Sequence, residues 1–199
     1  MTDTMVDLTP AAQRLADLVS RVSDDELAGP TPCPAYTVGD LIEHVGGLAR
    51  AFRAAAEKDT ASPYVNGAPS GDATRLEAGW RERIPADLAA LARAWTDPGA
   101  WTGMTRIASQ DAPAEMVGVT VADELVVHGW DVARATGQSY EPEPELLTAA
   151  RTFLGMFASP DAPAGPEVAF GPSRELPGDA PALDQVLALA GRDPGWKAG

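Results

Sequence analysis

Residues 121–137 read VADELVVHGWDVARATG, and their spacing predicts one α-helix closed by Gly137. Side chains three and four apart on a helix lie one above another, so Glu124, His128 and Asp131 fall on a single stripe. A carboxylate and an imidazole four residues apart can hold a divalent cation, and this pair is set among Val, Leu, Trp and Ala. The chain has 2 histidines. The other, His44, lies in DLIEHVGGLARAF, a second amphipathic pattern, so two facing helices would bring three donors together.

The same periodicity organises the rest of the chain. Thr9 as N-cap and Pro10 at the first helical position open a helix predicted over 9–27, with Leu15, Leu18, Val19, Val22 and Leu27 on its apolar face. The prolines of GPTPCPAYT forbid helix, and Thr37 with Asp40 three residues on resembles a capping box, which starts a second helix running to about Lys58. A loop over 62–71 leads to a third helix, predicted from near Asp72 and carrying Trp80, Ile84, Leu88, Leu91 and Trp95. Pro85 in its middle should kink or divide it. An irregular run over 101–118 is expected to carry Met104 and Ile107 back over the core. The helix at 121–137 follows, then one over 144–158 with Leu146, Leu147, Ala150, Phe153, Leu154 and Phe157 buried. The Pro- and Gly-rich tail holds a short apolar run at 168–170, a candidate strand, and a final short helix at 182–189. These elements describe an all-α protein, a four-helix bundle over 1–160 with a short C-terminal extension over 161–199, the architecture that builds metal sites from facing helices.

Composition bounds the function. A net charge of −14 and a lack of any basic face exclude nucleic acid as a partner. No segment has the 18 or so apolar residues of a membrane span and the N-terminus lacks a signal-peptide pattern, so the expectation is a cytoplasmic protein acting on a small molecule, as monomer or homodimer. One cysteine, Cys33, leaves no internal disulfide and fits a reducing compartment; its position between prolines suits a small packed residue better than a nucleophile.

His44, Glu124 and His128 together offer the three protein ligands typical of a catalytic zinc site, whose fourth position stays open. Asp40 lies four residues before His44 and Asp131 three after His128, so either carboxylate could accept a ring N–H and fix a tautomer. Each also has a structural reading: Asp40 as a helix cap, Asp131 as a partner of Arg134. Gly46 and Gly47 inside a helix cost roughly 1 kcal/mol each against Ala, which points to a close neighbour, either a ligand or a packed helix.

The run TPCPAYTVGDLIEHVGGLARAF resembles a segment of the family that includes the mycothiol-dependent maleylpyruvate isomerase metal-binding domain, within the DinB-like superfamily. VADELVVHGWDVARATGQ resembles that family's second motif, and FGPSRELPGDAPALDQVLALAGRDPGW is similar to the closing segment of a metal-binding subgroup. The departures are Tyr36, where the family usually has Trp, and a tail shorter than the C-terminal domain of the full isomerases. The resemblance implies a DinB-like bundle with metal ligands at His44, Glu124 and His128. It further implies zinc, or else nickel, and mycothiol as the thiol cosubstrate of a transferase or isomerase. Arginine outnumbers lysine thirteen to two, a composition that fits an organism making this thiol. Arg50 and Arg81, with Arg53 and Arg75, are the candidate anchors for an anionic group. Two other classes share the same ligands: a thiol-independent hydrolase, cyclase or lyase that activates water or polarises a carbonyl, and a non-catalytic bundle in which the metal only joins two helices.

Overall fold

A computed structural model describes residues 5–67, 71–162 and 171–198. Among these residues are six α-helices and one hairpin: α1 (Thr9–Ser20), α2 (Val38–Ala56), α3 (Trp80–Ala94), β1 (Met104–Ile107), β2 (Gln110–Pro113), α4 (Ala114–Ala135), α5 (Pro144–Leu154) and α6 (Ala182–Leu189). Helices α1 to α4 form the bundle, α5 packs on the outer side of α4, and α6 packs on α5. One continuous core joins them, from Leu8 and Leu15 through Leu41, Phe52, Ile84 and Leu88 to Val121, Val126 and Leu154. Trp80, Trp95 and Trp101 are buried in it, and Trp130 is buried beside it. The indole N–H groups of Trp95 and Trp101 donate to the carbonyls of Phe52 and Trp95, which satisfies their polar edges inside apolar surroundings.

Several boundaries differ from the sequence reading, each for a local reason. Helix α1 ends at Ser20 rather than continuing to Leu27, because Ser23 and Glu26 form a capping box that starts a separate 3-10 turn at Asp24–Glu26. At its other end Leu8, not Thr9, is the N-cap and lends no side chain, while Asp7 before it accepts the Thr9 N–H at 2.9 Å. Asp72 caps a 3-10 turn, and α3 itself starts eight residues later at Trp80, after Gly79 turns the chain with φ of 80°. Pro85 lies inside α3 without dividing it.

The largest correction concerns the run before the metal motif. Residues 104–113 form an antiparallel hairpin that pairs Met104 with Pro113 and Ile107 with Gln110. Strand alternation then turns Thr105 into the core and leaves Met104 exposed, while Ile107 packs against the core. Helix α4 begins at Ala114, seven residues before the predicted start. It is buried on nearly every face, so its first two turns lack the polar stripe that would mark them as helix. Gly118 is needed there because a Cβ would run into the ring of Trp101. At the far end Gly137 takes φ of 66°, the left-handed conformation that closes a helix.

Helix α5 stops at Leu154, short of Ala158, and Phe157 is exposed rather than buried. Helix α6 has the predicted bounds. The candidate strand at 168–170 lies outside the described residues.

Candidate metal centre

The site is set by the register of two helices. On α2 the Thr37 hydroxyl accepts the Asp40 N–H at 3.2 Å and the Asp40 carboxylate accepts the Thr37 N–H at 2.9 Å, a complete capping box. The same carboxylate takes the Ala73 N–H at 2.7 Å, so both of its oxygens hold backbone and tie the α2–α3 connection to the start of α2. One turn further on, the ring of His44 lies 5.2 Å from that of Tyr36 and 5.0 Å, edge on, from that of His128.

Helix α4 presents the other donors. His128 Nε2 lies 3.0 Å from Glu124 Oε2, and Nδ1 lies 3.1 Å from Asp131 Oδ2. One ligand atom from each of His44, Glu124 and His128 lies within 4.8 Å of the others. A tetrahedral zinc spaces its ligand atoms about 3.4 Å apart, so small side-chain rotations would close this set on an ion. The donor chemistry also fits, with two imidazoles and one carboxylate. Asp131 stands behind His128 as a second carboxylate that fixes which ring nitrogen carries a proton.

Arg192, from the segment after α6, completes this group. Its Nη2 and Nε donate to Asp131 Oδ2 and Oδ1 at 2.9 and 3.1 Å, and both residues are buried. Nothing in local spacing reveals it, since 61 residues separate the pair; the signal was its place in the closing segment quoted above. Arg134, the alternative partner of Asp131, instead donates to the Trp196 carbonyl.

Electrostatics follow from these contacts. Burial works against a charged His128, but the hydrogen bonds it donates to Asp131 and Glu124 outweigh it and raise its pKa to about 9. Burial likewise opposes ionisation of Asp131 and Glu124. Arg192 and His128 nevertheless hold Asp131 below its ordinary value, and the hydrogen bond from His128, helped by the charge of His44, does so for Glu124. Asp123 is pushed far up by burial and by the neighbouring Glu124 charge, and its buried Oδ1 has no hydrogen-bond partner among the described residues. Burial raises the Cys33 thiol too, with Arg192 opposing and Asp131 adding to the rise. Cys33 therefore lies within the electrostatic reach of the centre, which its sequence position did not reveal.

The four arginines proposed as anchors have other contacts. Arg50 donates to the Gly46 carbonyl and lies over the Tyr64 ring, and Arg81 donates to the Val22 carbonyl and Asp24 while covering Trp80. Arg53 pairs with Glu57, and Arg75 with Glu43. The glycine at 46 is explained by helix packing, because a Cβ there would lie 3.1 Å from Ile84.

The sequence profile described as the mycothiol maleylpyruvate isomerase N-terminal domain matches residues 8–133, a span that includes all three donors. Over 193 residues the chain is 35% identical to an uncharacterized protein of Mycobacterium tuberculosis, found in two strains, covering 92% of this chain and 93% of that one. Among solved structures, the crystal structure of the mycothiol-dependent maleylpyruvate isomerase matches with a TM-score of 0.56 at 16% identity, covering 76% of this chain and 68% of that one. A histidine-to-alanine mutant of that enzyme matches with a TM-score of 0.54 at the same identity and coverage. At such identity the structural likeness speaks for the fold.

Proposed function

The chain belongs to the mycothiol maleylpyruvate isomerase N-terminal domain family, and from that premise we propose that it is a metal-dependent enzyme that activates mycothiol. The thiol would act on a small electrophilic substrate, by S-transfer or by isomerisation. The observation that carries this reading is the convergence of one donor atom each from His44, Glu124 and His128 within 4.8 Å, three protein ligands with a fourth direction left for an exogenous group. A bound divalent ion, zinc first and nickel second, would supply the Lewis acidity that lowers the pKa of a thiol from about 8.5 and provides a nucleophile at neutral pH.

The chain's own residues prepare that chemistry. Asp131 accepts the Nδ1 proton of His128, which directs the Nε2 lone pair at the ligand set. In the metal-free protein Nε2 carries a proton shared with Glu124, and this proton must leave before the ring can act as a ligand. Glu124 contributes the negative charge of the set, while Tyr36 packs on the ring of His44. Transfer results when the thiol–carbon adduct is released. Isomerisation results when the thiol adds to a carbon–carbon double bond, the resulting single bond rotates, and the thiol leaves again.

The proposal extends to a cytoplasmic location, where a lone thiol such as Cys33 stays reduced, and to a small-molecule rather than nucleic-acid partner for a chain of net charge −14. Among the described residues no helix is long and apolar enough to cross a membrane. The division into a bundle over 1–160 and an extension over 161–199, in a monomer or homodimer, is part of the same reading.

The test is metal analysis of the purified protein, followed by cobalt substitution and titration with mycothiol. The expected result is one metal per chain and a shift of the cobalt visible spectrum on adding thiol, as sulfur enters the coordination shell. Protein that takes up neither zinc nor nickel would overturn the metal reading. A loaded protein whose spectrum ignores thiol would overturn the thiol reading and favour a thiol-independent metal enzyme.

A further inference from the structure

We propose that Arg192 is a positioning residue of the metal centre: the C-terminal segment supplies a guanidinium that clamps Asp131 and, through Asp131, fixes the ring of His128. The inference rests on the reading of His44, Glu124 and His128 as metal ligands and adds a dependence of that site on the tail.

The clamp is two-sided. Arg192 Nη2 donates to Oδ2 of Asp131 at 2.9 Å, and Nε donates to Oδ1 at 3.1 Å and to Oδ2 at 3.3 Å. His128 takes Oδ2 only, so Arg192 is the sole side chain holding Oδ1 among the described residues. Without it the carboxylate could rotate about its terminal bond and offer either oxygen to the ring at varying angles. Asp131 has no solvent to replace the lost partner, because it is fully buried. A guanidinium suits the task because its planar fork matches both carboxylate oxygens at once.

Arg192 is itself aimed by the fold of the tail. Its backbone N–H donates to the Leu187 carbonyl at 2.8 Å and its Nη1 to the Ala190 carbonyl at 3.2 Å. Gly191 makes the turn between α6 and Arg192 with φ of 78°, a conformation that favours glycine. A second anchor joins the tail to α4 elsewhere, the bond from Arg134 to the Trp196 carbonyl at 3.0 Å, and it touches neither Asp131 nor the donors.

The experiment compares zinc affinity, by competition with a chromophoric chelator, and the cobalt visible spectrum in the full chain and three variants. Removing an outer group that orients a metal ligand typically weakens binding by about 10–100-fold, and that loss is expected for Arg192→Met, together with an altered cobalt spectrum. Arg192→Lys, which keeps the charge but cannot span both oxygens, should fall between it and wild type. Arg134→Met, which removes the other anchor, should bind like wild type. Wild-type affinity and spectrum in Arg192→Met would overturn the proposal, since a purely structural anchor moves melting temperature and not coordination. Should Arg192→Met fail to fold, Arg192→Lys decides by the same criterion. Failure of the metal reading looks different: wild type would then bind no zinc, or His128→Ala would keep it, and both claims fall together.

Discussion

The two histidines occupy unlike surroundings. His128 is buried in the middle of α4, held on one nitrogen by Glu124 and on the other by Asp131, which Arg192 grips in turn. His44 is half-buried near the start of α2, with the Tyr36 ring on one side and the ring of His128 on the other. One ring is enclosed by charged groups in low dielectric, while the other is partly exposed and meets two aromatic rings as well as the Glu124 charge. A site built this way has a buried half on α4 and a partly exposed half on α2, and the exposed half is the side that an incoming ion or substrate would reach first.

The sharpest way to break that contrast is to remove each ring. His128→Ala should abolish measurable zinc binding, because it deletes a ligand and removes the ring that both Glu124 and Asp131 hydrogen-bond, leaving Asp131 to Arg192 alone. His44→Ala should leave weak binding through the Glu124–His128 pair. Isothermal titration of both variants checks this, and equal losses would show that the two halves are not distinct.

The buried half should also dominate the pH dependence. Its histidine titrates at about 9 in the metal-free protein, so near neutrality zinc must displace a proton. Apparent affinity should then rise about tenfold per pH unit from 7 to 9 and level off above, with one proton released per zinc in titrations across buffers of different ionisation enthalpy. Because the folded pKa is raised above the ordinary 6.5, protonation of His128 adds stability to the metal-free protein that is fully present below that value. It fades as pH climbs through about 9. Metal-free protein that melts at the same temperature at pH 6 and pH 9.5 would contradict this.

Packing around the two halves differs in the same sense. A Cβ at Gly129 would lie 2.7 Å from the Tyr140 ring, whose hydroxyl is anchored to the Val126 carbonyl at 2.9 Å. Gly129→Ala should therefore cost about 1–3 kcal/mol through overpacking. A Cβ at Gly46 would lie 3.1 Å from Cδ1 and Cγ1 of Ile84, with Arg83 Nη1 next at 3.8 Å. The roughly 1 kcal/mol of helix propensity gained there should offset the shift, leaving Gly46→Ala near wild type in urea denaturation.

What the sequence makes legible follows the same division between local and distant causes. The start of α2, the close of α4 at Gly137 and both ends of α6 depend on residues within a turn of the boundary, and each was readable. The stripe of Glu124, His128 and Asp131 is equally local. The start of α4 was not readable, because a helix buried on nearly all sides has no polar face to set its period, and Gly118 near its start answers to Trp101 in another element. Phe157 carried the right spacing for burial, but α5 ends before reaching it. Arg192 shows the limit most clearly. A partner 61 residues away leaves no periodic trace, and a lone arginine after a short helix looks like any surface residue.

Asp40 provides the smallest and most selective test of the contrast. It has the spacing to support His44 as Asp131 supports His128, yet both its oxygens serve backbone N–H groups, those of Thr37 and Ala73, and the Thr37 hydroxyl. Its carboxyl pKa is lowered by these hydrogen bonds despite the opposing effect of burial. Loss of a helix cap typically costs about 1 kcal/mol, so Asp40→Ala should lower stability by that amount in urea denaturation while zinc affinity stays within about threefold of wild type, well short of the 10–100-fold expected when an orienting carboxylate is lost. A loss of zinc affinity as large as that of Asp131→Asn would mean that His44 too depends on a fixed carboxylate. The α2 half of the site would then be held in the same way as the α4 half, and the two histidines would differ in burial alone.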